Sequence, residues 1–228
     1  LSFLQKFANQ KIVLVVGGGV FAETVRDVYK SNKMTEVTGH VLAMKATEIF
    51  AYYLKSINPD ILITYKITNF IKESLSLWLP TEKLSFEKKF EKNWESTSDS
   101  IATWLYSNTK SKGVVFIKSL SFANEEKLKL KKLQKKNIMD LNVKKYVKRK
   151  KNLKIVGPEI IDLFDHIGRY NPPKLELETQ LKCFIPDYIP SVGDMDPFLK
   201  VERPDDKTDI LGLEQFEWVG TCNITSLQ

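Results

Sequence analysis

Three consecutive glycines, Gly17-Gly18-Gly19, follow the β-branched apolar run Ile12-Val13-Leu14-Val15-Val16 and precede an amphipathic segment over residues 20–30. This strand–glycine–helix order has chemical meaning. Residues without a Cβ let backbone N–H groups approach an anion closely, and a helix N-terminus adds a favourable dipole. The same order also describes a tight strand-to-helix turn that holds no ligand. Other reactive groups are sparse. His40 and His166 are the two histidines, which leaves no histidine-rich metal site. Cys183 and Cys222 are too few for a disulfide framework and suit a reducing compartment. The four tryptophans, Trp78, Trp94, Trp104 and Trp218, read as core anchors.

The elements that would position the glycines alternate along the first half. A helix is expected over residues 37–57, where Val41, Met44, Ala51 and Leu54 fall at helical spacing. Short apolar strands are expected at 60–64, at 75–79 before Pro80, and at 113–117. Ser98-Asp99 should open a helix through Ile101, Trp104 and Leu105, because Ser and Asp can cap free N–H groups. Continuous apolar strands alternating with helices indicate an α/β fold with a mainly parallel sheet.

Composition adds a boundary. The chain has 228 residues, 43% of them hydrophobic and 28% charged, enough for a core and too much for wholesale disorder. No apolar run approaches the roughly 20 residues of a membrane span. Residues 1–156 carry a net charge of +15 and residues 157–228 one of −8, and seven of the nine prolines lie at or beyond Pro158. These shifts predict two parts, 1–156 and 157–228, meeting near Gly157-Pro158. Residues 127–154 hold thirteen basic residues and one acid, Asp140. Nucleic acid, an anionic membrane or an acidic partner could take such a stretch. The interleaved Leu128, Leu130, Leu133, Leu141 and Val147 favour two solvated helices instead. Tyr146 is the one aromatic there, which counts against nucleic acid.

Beyond Pro158, Ile160, Leu163, Phe164 and Ile167 form one face of a short helix that Gly168 stops. Leu175-Glu176-Leu177-Glu178 alternates like a half-exposed strand. Pro186, Pro190, Pro197 and Pro204 then punctuate an extended arm. Its bulky side chains Phe184, Ile185, Tyr188, Ile189, Phe198 and Leu199 are too apolar to be left in water, so a partner surface or the chain's own first domain should cover them.

Two resemblances extend this reading. The segment Gly17-Gly18-Gly19-Val20-Phe21-Ala22-Glu23-Thr24-Val25-Arg26, with Glu95-Ser96-Thr97-Ser98-Asp99-Ser100-Ile101-Ala102, resembles the amino acid kinase superfamily of aspartate, glutamate and uridylate kinases. The methanofuran-synthesis branch is the nearest, with counterparts of Gly39-His40 and Leu42-Ala43-Met44. The resemblance covers about residues 1–156. It implies a three-layer sandwich, ATP and Mg²⁺ as cofactors, and transfer of the γ-phosphate to a small molecule. Gly17, Gly18 and Gly19 would cradle phosphate or acceptor with Arg26 beyond them, and Asp99 would orient cationic groups around the phosphates. A homodimer through the α/β domain is a further expectation. The lysine-bearing opening strand of such kinases has no counterpart ahead of the glycines, and Lys118 stands where many carry an acid. The domain is therefore expected to be a poor kinase or none.

The second resemblance is denser. Leu163-Phe164-Asp165-His166-Ile167-Gly168-Arg169-Tyr170-Asn171-Pro172, Phe184-Ile185-Pro186-Asp187-Tyr188-Ile189-Pro190 and Met195-Asp196-Pro197-Phe198-Leu199-Lys200-Val201 are similar to the C-terminal region of the forty-six-kilodalton subunit of intraflagellar transport complex B. The similarity runs over about residues 159–213. It implies a non-catalytic subunit of the cytoplasm and cilium whose C-terminal region binds its fifty-two-kilodalton neighbour. The expected molecule is thus a fusion: a truncated kinase-like domain followed by a short helix and a proline-rich arm that grips a partner. An active small-molecule kinase is the alternative.

Overall fold

A computed structural model describes residues 11–71, 75–122, 128–147, 152–160, 187–188 and 218–222. The elements are β1 (Ile12–Val16), α1 (Gly19–Ser31), α2 (Glu36–Ile57), β2 (Leu62–Thr64), a 3₁₀ turn (Ile67–Ile71), β3 (Leu75–Trp78), α3 (Thr81–Phe86), α4 (Ser98–Ser107), β4 (Gly113–Ile117), α5 (Leu130–Lys135), α6 (Val143–Tyr146), β5 (Leu153–Val156), β6 (Asp187–Tyr188) and β7 (Trp218–Cys222). The fold is mixed α/β. The expected strands and long helices of the first half are present, with boundaries shifted by one or two residues. The expected helix beyond Ile160, the strand over 175–178 and the side chains of Phe184, Ile185, Tyr188, Ile189, Phe198 and Leu199 lie outside the described residues, as does His166.

Seven strands form one sheet in the order β2-β3-β1-β7-β4-β5-β6. All pairings are parallel except β5 with β6. Alternate residues of the strands feed two cores. Val13, Val15, Val114, Phe116, Leu153 and Ile155 join the cluster containing Trp78, Trp104, Leu105 and Tyr146. Ile12, Leu14, Val16, Val115 and Val156 join the cluster containing Phe50, Ala51 and Leu54 of α2. Burial on both faces explains why β1 reads as an unbroken apolar run.

Three strands are not anticipated from sequence, β5, β6 and β7, and β7 matters most. It enters from the far end of the chain and lies between β1 and β4, with Trp218 opposite both Ile12 and Gly113, and Cys222 opposite both Val16 and Ile117. Strands pair about 4.8 Å apart, so β1 and β4 flank a slot roughly 10 Å wide that only a strand can fill with hydrogen bonds. The basic stretch resolves into two short helices and a strand. Leu130, Leu133, Val143 and Tyr146 are buried under exposed lysines at 131, 132, 135, 136, 144 and 145. Strand β5 begins just after the last lysines of the run and buries one of its own, Lys154, which sits in register with Asp187.

A proline at Val219 should remove a ladder bond in the middle of the sheet and leave a partner group unsatisfied, costing about 2–5 kcal/mol. Ile63→Pro on the edge strand β2 should cost clearly less. Urea denaturation followed by far-ultraviolet circular dichroism compares them; equal losses would contradict the central placement of β7.

Candidate functional site

The chain runs from β1 outward to β2 and β3, then crosses to β4 on the other side of β7. Strand connections therefore reverse direction between β1 and β4. In open α/β sheets the crevice at the carboxyl ends of such strands is where ligands bind. Here the carboxyl end of β1 leads into the glycine turn, and that of β4 leads into Lys118.

A cavity of about 220 Å³ occupies this place. Its wall includes Gly18, Gly19, Arg26, His40, Thr47, Trp94, Ser96, Thr97, Ser98 and Lys118. A second, more polar cavity of about 340 Å³ shares Arg26, Trp94, Thr97, Lys118 and Asn137 with it and adds Asp99 and Asp140. The structure thus brings Gly18, Gly19, Arg26 and Asp99 to one place; Gly17 lies just upstream and is not part of either wall. The partner-binding side chains expected in the arm lie outside the described residues.

Each wall residue has a local reason for its position. Gly18 caps α1, and a Cβ there would fall 2.2 Å from that of Ala22, so no side chain fits. Gly19 has φ 51°, in the left-handed region that glycine adopts without strain. No acidic residue occupies the first turn of α1, which leaves the dipole uncompensated by the helix itself. Arg26 is paired with Glu23, and its guanidinium lies over Trp94, 5.8 Å from the ring centroid. That is cation–π distance.

Beneath the mouth lies a buried charge network. Lys118 Nζ is 2.6 Å from both carboxylate oxygens of Asp99, and the two side chains are 8% and 2% exposed. The Asp99 carboxylate also accepts from the backbone N–H of Asp140, at 3.3 Å. Asp140 in turn caps α4, accepting from Thr97 N, Thr97 Oγ1 and Ser100 N at 2.5, 2.6 and 3.0 Å. The cap of α4 is therefore this distant acid and not Ser98 or Asp99. Its signal in the sequence was its solitude, one acid in a run of thirteen bases. Burial pushes the pKa of Asp99 up to about 6. Lys118 opposes that shift and the Asp140 charge reinforces it.

Two further wall residues were not among the expected site residues, and one of them, Trp94, was expected as a core anchor. His40 is buried, with Nε2 2.7 Å from the Ser96 carbonyl, and burial holds its pKa below the usual histidine range. Trp94 is half-buried at the cavity, unlike the core anchors Trp78 and Trp104. Glu159 fastens the far wall. Its Oε1 accepts from Phe122 N at 2.8 Å and Gly157 N at 3.1 Å, tying the turn after Lys118 to the end of β5. Among the described residues no group of three or more His, Cys, Asp or Glu could hold a metal ion, and no helix is long and apolar enough to cross a membrane.

Fold and cavity together define an α/β protein with a polar crevice at its switch point. Comparison with known proteins finds similarity toward the other end of the chain. Residues 145–219 match the family described as Intraflagellar transport complex B protein 46 C terminal. The chain is 64% identical over 58 residues to the Intraflagellar transport protein 46 homolog of Schistosoma japonicum, covering 25% of this chain and 18% of that protein. It is 58% identical over 59 residues to Intraflagellar transport protein 46 of Chlamydomonas reinhardtii, covering 26% and 17%. For the human homolog the figures are 59% over 58 residues, 25% and 19%. The chain thus spans less than a fifth of the length of these relatives, which are named as intraflagellar transport proteins. The family match is wider than the resemblance read from the arm, and it crosses the charge boundary near 157. It takes in β5, β6 and the first two residues of β7.

Replacing Lys118 with Met leaves a buried carboxylate without its cation, a loss of about 3–5 kcal/mol. The sign with pH follows from Asp99. Its folded pKa lies above the unfolded one, so its contribution to stability is fully present below about 4 and is lost as pH rises through about 6. Lys118→Met should therefore be much less destabilising at pH 5 than at pH 8 in urea titrations. A cost independent of pH would show that Asp99 is not the group left unpaired.

Proposed function

We propose that this chain is a non-catalytic interaction subunit of intraflagellar transport complex B, working in the cilium through its C-terminal part. The match of residues 145–219 to the complex B protein 46 family carries the reading. The partner is another complex B subunit, the fifty-two-kilodalton one, and the contacts are Phe184, Ile185, Tyr188, Ile189, Phe198 and Leu199. The first domain is a kinase-like fold joined to it, able to pair with a second copy.

The sheet bears on how that region is presented. Tyr188 leaves β6 beside Leu153, the first residue of β5, and Trp218 enters β7 beside Ile12 and Gly113, the first residues of β1 and β4. Both attachment points lie on the amino-terminal edge of the parallel strands, three strand spacings or about 14 Å apart. The 29 residues between them could reach on the order of 100 Å if extended. The cavity is at the opposite, carboxyl-terminal edge. Of the proposed contacts, Ile189, Phe198 and Leu199 fall within residues 189–217, whereas Tyr188 lies in β6 and Phe184 and Ile185 precede it.

A second reading has its own observation: Gly18, Gly19, Arg26 and Lys118 surround one cavity at a helix N-terminus. This arrangement suits a phosphate group, and it supports an ATP-dependent small-molecule kinase as the alternative. Asp99 is already committed to Lys118, which weighs against a full catalytic set.

In a pull-down, the full chain should retain the fifty-two-kilodalton subunit, and the double substitution Ile185→Ala, Phe198→Ala should reduce retention at least tenfold without changing the melting temperature. No retention by the wild type would end the interaction reading. For the alternative, Mg²⁺-ATP at 100 times its Kd would stabilise the fold by about 2.7 kcal/mol. The interaction reading expects no such shift, and steady ATP turnover would favour the kinase.

A further inference from the structure

The amino-terminal edge of the sheet, opposite the crevice, carries a cluster of lysines. Lys11 stands directly before β1, and Lys110 and Lys112 lie in the loop that leads into β4. Helix α6 brings two more. Asp140, just ahead of it, caps the crevice end of α4, whereas the Tyr146 carbonyl at its close accepts from Ser107 Oγ, on the last residue of α4. The short helix therefore descends beside α4 and delivers Lys144 and Lys145 toward the same edge. Asn152 Nδ2 donates to the Lys112 carbonyl at 2.8 Å, which fastens the start of β5 to that loop. Lys110, Lys112, Lys144 and Lys145 are exposed, and Lys11 is half-buried. Glu91, 3.4 Å from Lys145, offsets one of these charges.

The register of the sheet carries acid to this place. Trp218 of β7 lies opposite Ile12 and Gly113. One residue earlier the three strands read Lys11, Glu217 and Lys112, which puts a glutamate between two lysines. That glutamate closes a stretch, residues 202–217, with six acids (Glu202, Asp205, Asp206, Asp209, Glu214 and Glu217) against two bases, Arg203 and Lys207. The stretch is tethered where β7 begins, and the 13 residues from Asp205 to Trp218 could reach on the order of 40 Å. Tethering raises its local concentration at the edge, so ion pairs that are weak one by one can act together. A nucleic acid or a separate acidic protein would meet these lysines only by displacing a segment that β7 already holds beside them.

We propose that residues 202–217 dock on the lysine cluster of their own chain as an electrostatic clasp, with their carboxylates paired to Lys110, Lys112, Lys144 and Lys145. The opposite net charges of the chain's two parts then act on each other. The screening length of salt falls from about 10 Å at 0.1 M to about 3 Å at 1 M, so a clasp made of exposed pairs closes at low salt and opens at high salt. What the segment offers to other molecules depends on which state it is in. The clasp belongs to the free chain and is independent of which partner the arm takes.

The test treats the full chain with a carbodiimide, which joins an amine to a carboxylate in direct contact, at about 0.02 M and about 1 M salt. Mass spectrometry identifies the joined peptides, and mixing ¹⁵N-labelled with unlabelled chains separates links within a chain from links between two. At low salt the acids at 202–214 should be joined to Lys110, Lys112, Lys144 or Lys145 of the same chain, and the yield should fall at least fivefold at high salt. Glu217 is set aside, because β7 places it there in any case. Lys144→Glu with Lys145→Glu should lower the links to Lys110 and Lys112 at least fivefold. Adding Asp205→Lys and Asp206→Lys should restore linking, now between positions 205–206 and 144–145. Should the reversed variant lose its circular dichroism spectrum, the wild-type links and their salt dependence decide alone. Links formed only between separate chains, or spread equally over Lys131, Lys132, Lys135 and Lys136 of α5, would overturn the clasp. So would the absence of links within the chain, whether or not the lysines then hold an added RNA homopolymer.

Discussion

The structure depends on a single strand filling a slot between two others. Strands β1 and β4 never pair with each other; each presents a row of backbone donors and acceptors to the space that β7 occupies. Those groups are buried, and buried peptide groups without partners are costly enough to undo a small domain. Everything placed at the carboxyl-terminal edge inherits this constraint. The glycine turn follows β1 and Lys118 follows β4, so the distance across the crevice is set by the strand between them.

Charge is arranged around the same point. Lys118 neutralises Asp99, Asp99 holds the backbone of Asp140, and Asp140 caps the helix that begins with Ser98. Buried pairs of this kind return little net stability because desolvation offsets attraction, but they are severe on wrong arrangements. The network therefore acts more to fix the positions of Lys118 and α4 than to add stability. The outer lysines of α5 and α6 are a different matter. They sit above buried Leu130, Leu133 and Val143, as solvated helix faces do.

Much of the first half was legible because its signals are local. An apolar run between a lysine and three glycines can be little other than β1 and its turn, and the spacing of Met44, Ala51 and Leu54 marks α2. Gly18 and Gly19 were legible as candidates for the same reason, whereas Arg26 and Asp99 entered through the kinase resemblance. What escaped was non-local. Trp218-Val219-Gly220-Thr221-Cys222 has a central glycine and no long apolar run, so nothing in it announces a place in the middle of a sheet. Lys154 disguised β5 as more of the basic stretch. His40 and Trp94 carried no spacing signal, since they reach the same cavity wall from positions 54 residues apart in sequence.

The placement of β7 joins the part of the chain that matches the complex B protein to the part that bears the crevice, and it can be read directly. Amide hydrogen exchange on the full chain should show Val13–Val16, Val114–Ile117 and Val219–Thr221 protected to the same degree and released together as denaturant is added, as one cooperative unit. Rapid exchange across β7 while β1 and β4 stay protected would contradict the account.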